Sequence, residues 1–112
     1  MTDLLQAREP VFRTAARTWI KPRVSIDNQT SQRATVIHVT AQDRIGLLYD
    51  LARTISSGGY DIEVVLIDTQ GRKAMDVFYA TGPDGKLAPM EGERLRDEML
   101  AACGVRVSEK AG

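Results

Sequence analysis

Residues 35–58 form a stretch of this 112-residue chain in which a strand pattern passes into a helix pattern. Side chains at residues 35–41 alternate with a period of two, which is typical of a strand. Apolar residues at 47–55 recur at spacings of one, three and four, which makes one stripe along a helix. A turn at residues 42–44 joins them, and the first amide groups of a helix have no partner within it. We therefore expect any ligand to bind at this turn.

Three residues in or next to this turn have both a ligand-binding and a structural interpretation. Asp43 either caps the first amides of the helix or faces the ligand. Arg44 is either part of the site or a solvated or ion-paired surface residue. Gly46 lacks a side chain, so it either lets a ligand approach the backbone or permits close packing of helix and strand.

The net charge, the residue counts and the hydropathy of the chain argue against several classes of protein. The formal net charge is zero, which argues against a nucleic-acid-binding protein. There is one cysteine, Cys103, so we expect a cytoplasmic location and no internal disulfide. No apolar run approaches the roughly 20 residues of a membrane span, and the N-terminus lacks a signal peptide pattern. One histidine and one cysteine make a poor metal set, and no nucleophile is paired with a base, so we expect no metal, no cofactor and no catalysis.

The remaining patterns predict a ferredoxin-like α+β domain. Residues 1–33 are interpreted as a lead-in with a short helix and a short strand, and residues 34–108 as the domain. Right-handed connections in the order βαββαβ give a four-stranded antiparallel sheet with two helices on one face. After the first strand and helix, the predicted elements are strands at 60–69 and 73–81, a helix at 90–103 and a last strand at 105–107.

The face of the sheet away from the helices is predicted to be an interface. An open face with several apolar side chains usually requires a cover, which here would be the lead-in, a second copy or a neighbouring domain. We expect a dimer through this face or through the edge of the second predicted strand. The side chains assigned to this face are Val36, His38, Val65, Ile67, Asp76 and Phe78.

Two segments carry a family resemblance. Residues 43–52, DRIGLLYDLA, and residues 59–81, GYDIEVVLIDTQGRKAMDVFYAT, resemble the ACT domain, a regulatory module that binds amino acids in many metabolic enzymes. With RVSIDN at residues 23–28, the resemblance is strongest to the last ACT domain of bifunctional uridylyltransferase/uridylyl-removing enzymes, and it covers roughly residues 22–107. Ile45 stands where that family usually has proline, which would stiffen the turn.

The resemblance implies a glutamine-binding regulatory domain that pairs with a second copy or a sister ACT domain. Amides at the start of the first helix would bind the ligand carboxylate, Asp43 would bind its ammonium group, and the second predicted strand of a partner subunit would complete the pocket. The binding residues implied in this way are Asp43, Arg44, Ile45, Gly46, Leu47, Leu48, Ile62, Glu63 and Val64.

Other functions remain as alternatives. One is a structural or dimerisation ACT domain without a ligand, and another is a free-standing ACT protein. The catalytic motifs of the parent enzyme are missing from these residues, so we interpret the chain as its regulatory part. An RNA-binding domain of the same fold is excluded because Phe78 and Tyr79 lie on opposite faces of their strand and no basic excess accompanies them.

Overall fold

A computed structural model of the chain describes residues 20–104. No helix in this range is long and apolar enough to cross a bilayer. The short helix predicted in the lead-in and the strand predicted at 105–107 lie outside the described residues. The described elements are β1 (Arg23–Asp27), β2 (Thr35–Gln42), α1 (Leu47–Ser57), β3 (Asp61–Gln70), β4 (Lys73–Thr81) and α2 (Pro89–Cys103).

The four strands form one antiparallel sheet in the order β1-β2-β4-β3. Together with two helices, this confirms the predicted ferredoxin-like α+β fold class. The first edge strand, β1, pairs with β2 from Arg23 opposite Thr40 to Asp27 opposite Val36. The sheet thus includes a strand that the sequence analysis placed in the lead-in.

The core lies between the sheet and the two helices. Helix α1 buries Leu47, Leu51 and Ile55, which belong to the stripe predicted from the sequence, and α2 buries Leu95, Met99 and Cys103. These side chains pack on the face of the sheet that carries residues such as Ile37, Val39 and Phe78. Burial of each large aliphatic or aromatic side chain stabilises the fold by roughly 1.5–3 kcal/mol.

In the third predicted strand, which is β4 in the structure, the side chains were assigned to the wrong faces. Phe78 is fully buried in the core between sheet and helices, and it does not lie on the open face. Asp76 shares the helix side with it, and both are flanked there by Ala74 and Ala80. The small alanines are found there because they let the helices approach the sheet closely, and Phe78 fills the remaining space.

A β-bulge reverses the predicted faces of β3. The pairing with β4 shifts register between Ile62 and Val64, so Glu63 drops out of the ladder. One extra residue moves every following side chain to the opposite face. Val65 and Ile67 therefore lie on the helix side, and their assignment to the open face is wrong.

The open face nevertheless carries apolar groups. Leu66 pairs with Val77, and Val64 pairs with Tyr79, and all four alternate with the helix-facing set. Val64 and Leu66 are exposed there. Two residues assigned to this face do lie on it, of which Val36 is buried within the chain itself and His38 is exposed.

Candidate functional site

The loop after β2 is a type II β-turn. The backbone N–H of Leu47 donates to the carbonyl of Arg44 at 3.2 Å, and Gly46 has φ 84° and ψ −2°. These are the hydrogen bond and the third-position angles of a type II turn, which favours glycine there and proline one residue earlier. Ile45 occupies that earlier position, and the residue is 99% exposed. The turn requires Gly46, whereas Ile45 contributes no packing.

Asp43 does not cap α1. The N-cap residue is Gly46, and the helix has no side-chain cap hydrogen bond. The backbone N–H of Asp43 donates to the carbonyl of Arg72 at 2.7 Å, which ties the turn to the β3–β4 hairpin. The capping prediction is therefore wrong, because the chain passes through the type II turn before the helix begins and leaves the Asp43 side chain exposed.

The first turn of α1 presents free amide groups. The amide of Leu47 is used by the β-turn, and that of Asp50 donates to Gly46 at 2.9 Å. In residues 20–104, the backbone N–H groups of Leu48 and Tyr49 have no acceptor. Together with the positive end of the helix dipole, such amides favour an anion.

Arg44 fastens the turn to both helices. Its Nη2 lies 2.9 Å from Oδ2 of Asp50 in α1 and donates at 2.7 Å to the carbonyl of Ala102 in the last turn of α2. A cation is favoured at a helix C-terminus, where carbonyls lack partners. The Nε of Arg44 is buried and has no hydrogen-bond partner among the described residues.

A hollow of about 370 Å³ lies beside this turn, between the start of α1 and the adjoining ends of β3 and β4. Small-molecule pockets have roughly 300–1,000 Å³, so its size suits a metabolite. In residues 20–104, two buried side-chain polar atoms have no hydrogen-bond partner, one on Arg44 and one on Asp76. Both residues belong to the wall of this hollow, whereas the larger hollows near β1 contain neither of them. Its lining consists of Asp43, Arg44, Gly46, Leu47, Leu48, Tyr49, Ile67, Thr69, Ala74 and Asp76.

Asp76 is a wall residue that the sequence analysis did not assign to the site. Its side chain is on the helix side of β4 and only 3% of the residue is exposed. Burial raises the pKa of its carboxyl group, and the charges of Asp43 and Asp68 raise it further, while a hydrogen bond from the Asp68 backbone lowers it. Its Oδ1 has no partner among the described residues. The signal in the sequence was an acid inside the otherwise apolar run of β4.

The residues predicted on the second strand do not line this hollow within one chain. Ile62 packs at the edge of the core, Val64 is exposed, and Glu63 lies at the bulge. Glu63 accepts a hydrogen bond from Thr81 at 3.2 Å and pairs with Arg33 at 3.0 Å. Strand β3 instead supplies Ile67 and Thr69 near its other end, and a contribution of 62–64 from a partner subunit stays a prediction.

Among residues 20–104, neither a reactive thiol nor a metal-ligand set lies beside the hollow. Cys103 is buried, and burial raises the pKa of its thiol to about 11, which keeps it protonated and unreactive at neutral pH. Within residues 20–104, no three His, Cys, Asp or Glu side chains are grouped as metal ligands.

Fold and site together define a small ferredoxin-like domain whose candidate site is the turn between a central strand and the following helix. A family model described as "ACR9-like, ACT-like domain" matches residues 23–111. The chain belongs to this ACT-like domain family. The search of solved structures found no significant match.

Relatives of the chain carry the name bifunctional uridylyltransferase/uridylyl-removing enzyme. The protein of Phenylobacterium zucineum is 40% identical over 94% of this chain, and that of Zymomonas mobilis is 38% identical over 96%. The protein of Gluconobacter oxydans is 44% identical over 74%. The chain spans 12%, 12% and 9% of these relatives, respectively, so it corresponds to a small region of each.

Proposed function

We propose that this chain is an amino-acid-binding regulatory domain of a uridylyltransferase/uridylyl-removing enzyme, with glutamine as its effector. The observation that carries the proposal is the pair of free amides, on Leu48 and Tyr49, at a hollow of metabolite size. These amides bind the carboxylate of the effector at the positive end of α1. The choice of glutamine rests on the family resemblance alone, whereas the parent enzyme is taken from the names of the relatives.

The regulatory role follows from linkage. An effector shifts an equilibrium between two arrangements of an enzyme only by the difference in its affinity for them. The hollow is a surface hollow and not an enclosed cavity. A second copy or a sister ACT domain that closes it with residues 62–64 would make effector binding depend on the assembled arrangement. In the parent enzyme, that dependence would select between adding and removing a nucleotidyl group.

A structural ACT domain without a ligand is the second candidate function. It is favoured by the exposed apolar groups of the open face, Val64 and Leu66, which suit a packing surface. The two functions differ in a simple measurement, because a structural domain associates without any response to amino acids.

Calorimetric titration of the purified chain with glutamine tests the proposal, with glutamate and alanine as comparison ligands. We expect saturable heat with glutamine at up to millimolar ligand. If none of the three amino acids gives heat, only the structural role remains.

A pair of glycine variants localises the binding. Gly46→Ala places a side chain at φ 84° beside the free amides, and Gly59→Ala places one at φ 91°, at the far end of α1. Each is expected to lower the free energy of unfolding by about 1–2 kcal/mol, because both force an L-residue into left-handed angles. Only Gly46→Ala should weaken glutamine binding. Equal affinity of the two variants would place the ligand elsewhere.

A further inference from the structure

We propose that Asp76 is the residue that binds the α-ammonium group of the effector, through its unpartnered Oδ1, while the amides of Leu48 and Tyr49 hold the carboxylate. This inference rests on the proposed function and deepens it, because it identifies the residue that selects amino acids over other small acids. It assigns to Asp76 the role that the sequence analysis gave to Asp43.

The burial of Asp76 is the first support. A carboxyl group in the interior is costly unless its oxygens have hydrogen-bond partners, and native structures leave few such atoms unpaired. Only 3% of Asp76 is exposed, and one of its oxygens lacks a partner in the described part of the chain. It belongs to the wall of the hollow, so a ligand there can supply the missing donor.

The arrangement of polar groups around the hollow is the second support. The free amides of α1 and the unpartnered Nε of Arg44 are donors, and they suit a carboxylate. Asp76 on β4 is an acceptor on a different wall element. Donors and an acceptor on separate walls fit the two ends of a zwitterion, and an acid without a nitrogen would leave Asp76 unpaired.

The charges near Asp76 favour a cation there. Asp68 on the neighbouring strand and Asp43 in the turn both act on its carboxyl group as like charges. Arg44 in the turn is directed to Asp50 and to the carbonyl of Ala102, and the buried Cys103 thiol at the end of α2 is neutral at neutral pH. A bound ammonium group offsets the mutual repulsion of these acids. Asp43 is the weaker candidate because it is exposed and hydrated before any ligand arrives.

This assignment predicts that binding is linked to proton release. Burial raises the pKa of the free Asp76 carboxyl, and an adjacent ammonium group lowers it, so the ligand displaces a proton where the free acid is partly protonated. Titrations at mildly acidic pH in buffers of different ionisation heat should show this release, and affinity for glutamine should rise with pH. Asp76→Asn should abolish this proton release. If Asp76 had only a structural role, the substitution would leave the proton release unchanged.

The decisive experiment compares glutamine with glutaramate, which is glutamine without its α-amino group. In the wild-type chain, we expect glutaramate to bind roughly 10- to 100-fold more weakly, which is the loss expected for one hydrogen bond between charged groups. In Asp76→Asn, the affinity for glutamine should fall by a similar factor, and the difference in affinity between the two ligands should nearly disappear. The isosteric Asp43→Asn is the comparison variant: it removes one neighbouring like charge but not the proposed acceptor, so it should keep most of the difference.

The outcomes separate this inference from the proposed function. A wild-type chain that binds neither ligand overturns both. Equal glutamine affinity of the wild type and Asp76→Asn, measured on a variant with unchanged circular dichroism, overturns only the assignment to Asp76. Loss of the ligand difference in Asp43→Asn alone returns the role to Asp43.

Discussion

At the scale of single residues, the turn before α1 was partly predictable. The sequence predicted a tight turn with a glycine, and Gly46 indeed adopts left-handed angles. It did not reveal that Gly46 would itself be the N-cap, because Asp43 is the better capping residue type and only the type II geometry moves it away from the helix. The burial of Asp76 was missed for a similar reason, since an acid usually indicates the solvent side of a strand.

The same turn predicts a stabilising substitution. Ile45→Pro places proline at the second position of a type II turn, where its fixed φ is favourable. The exposed Ile45 side chain loses no packing. We expect the free energy of unfolding to rise by about 0.4–1 kcal/mol, because the unfolded chain loses conformational freedom. Urea denaturation of the wild type, Ile45→Pro and the control Ile45→Ala checks this, and a destabilised proline variant would contradict the turn assignment.

The pKa of Asp76 predicts a dependence of stability on pH. Burial raises its pKa in the folded chain, so the folded state binds the proton more tightly than the unfolded state does. Stability contributed by this group is therefore lost as pH rises through the window between the two pKa values. The free energy of unfolding of Asp76→Asn, relative to that of the wild type, should therefore increase from about pH 3 towards neutral pH. Thermal unfolding across pH measures it, with the exposed Asp61→Asn as a control that should follow the wild type.

At the scale of elements, the sequence located the helices and strands better than it assigned their faces. Strands β2 and β4 and helix α1 lie where the patterns placed them. The faces of β3 depend on a bulge at Glu63, which no period-two pattern reveals. The faces of β4 were ambiguous because both carry apolar side chains, and only the space left by the helices puts Phe78 inside.

A pair of aspartate substitutions tests the corrected faces. Phe78→Asp places a charge in the core and removes a fully buried ring, so it should cost more than about 4 kcal/mol and unfold the domain. Leu66→Asp alters an open-face side chain that is 53% exposed, and it should cost about 1 kcal/mol or less. Circular dichroism and thermal melting distinguish them. A folded Phe78→Asp variant would mean that this ring is outside the core after all.

At the scale of the whole molecule, the fold class was predictable and the assembly was not. A ferredoxin-like sheet with helices on one face follows from the order of the patterns. The contacts of the open face depend on a second chain or domain, which a single sequence does not describe. The dimer therefore stays a prediction, now centred on Val64, Leu66, Val77 and the edge of β3.

Light scattering tests this assembly. The wild-type chain is expected to have the mass of a dimer at high micromolar concentration. Leu66→Asp should reduce it to that of a monomer while its circular dichroism stays unchanged, because a charge opposes burial of the open face. Asp84→Asn, at an exposed position in the loop after β4, serves as the control and should keep the mass of the dimer. A wild-type monomer, or a Leu66→Asp variant with unchanged mass, would locate the contact elsewhere or remove it.

Strand β1 has a practical consequence for any shortened form of the domain. It covers one side of β2, which carries the core residues Ile37 and Val39. A truncation that begins at residue 34 would strip this cover and turn a central strand into a bare edge, a template for intermolecular pairing. Such a fragment would be expected to aggregate. Its failure to respond to amino acids would then result from the loss of β1 and would not show that the domain lacks a binding site.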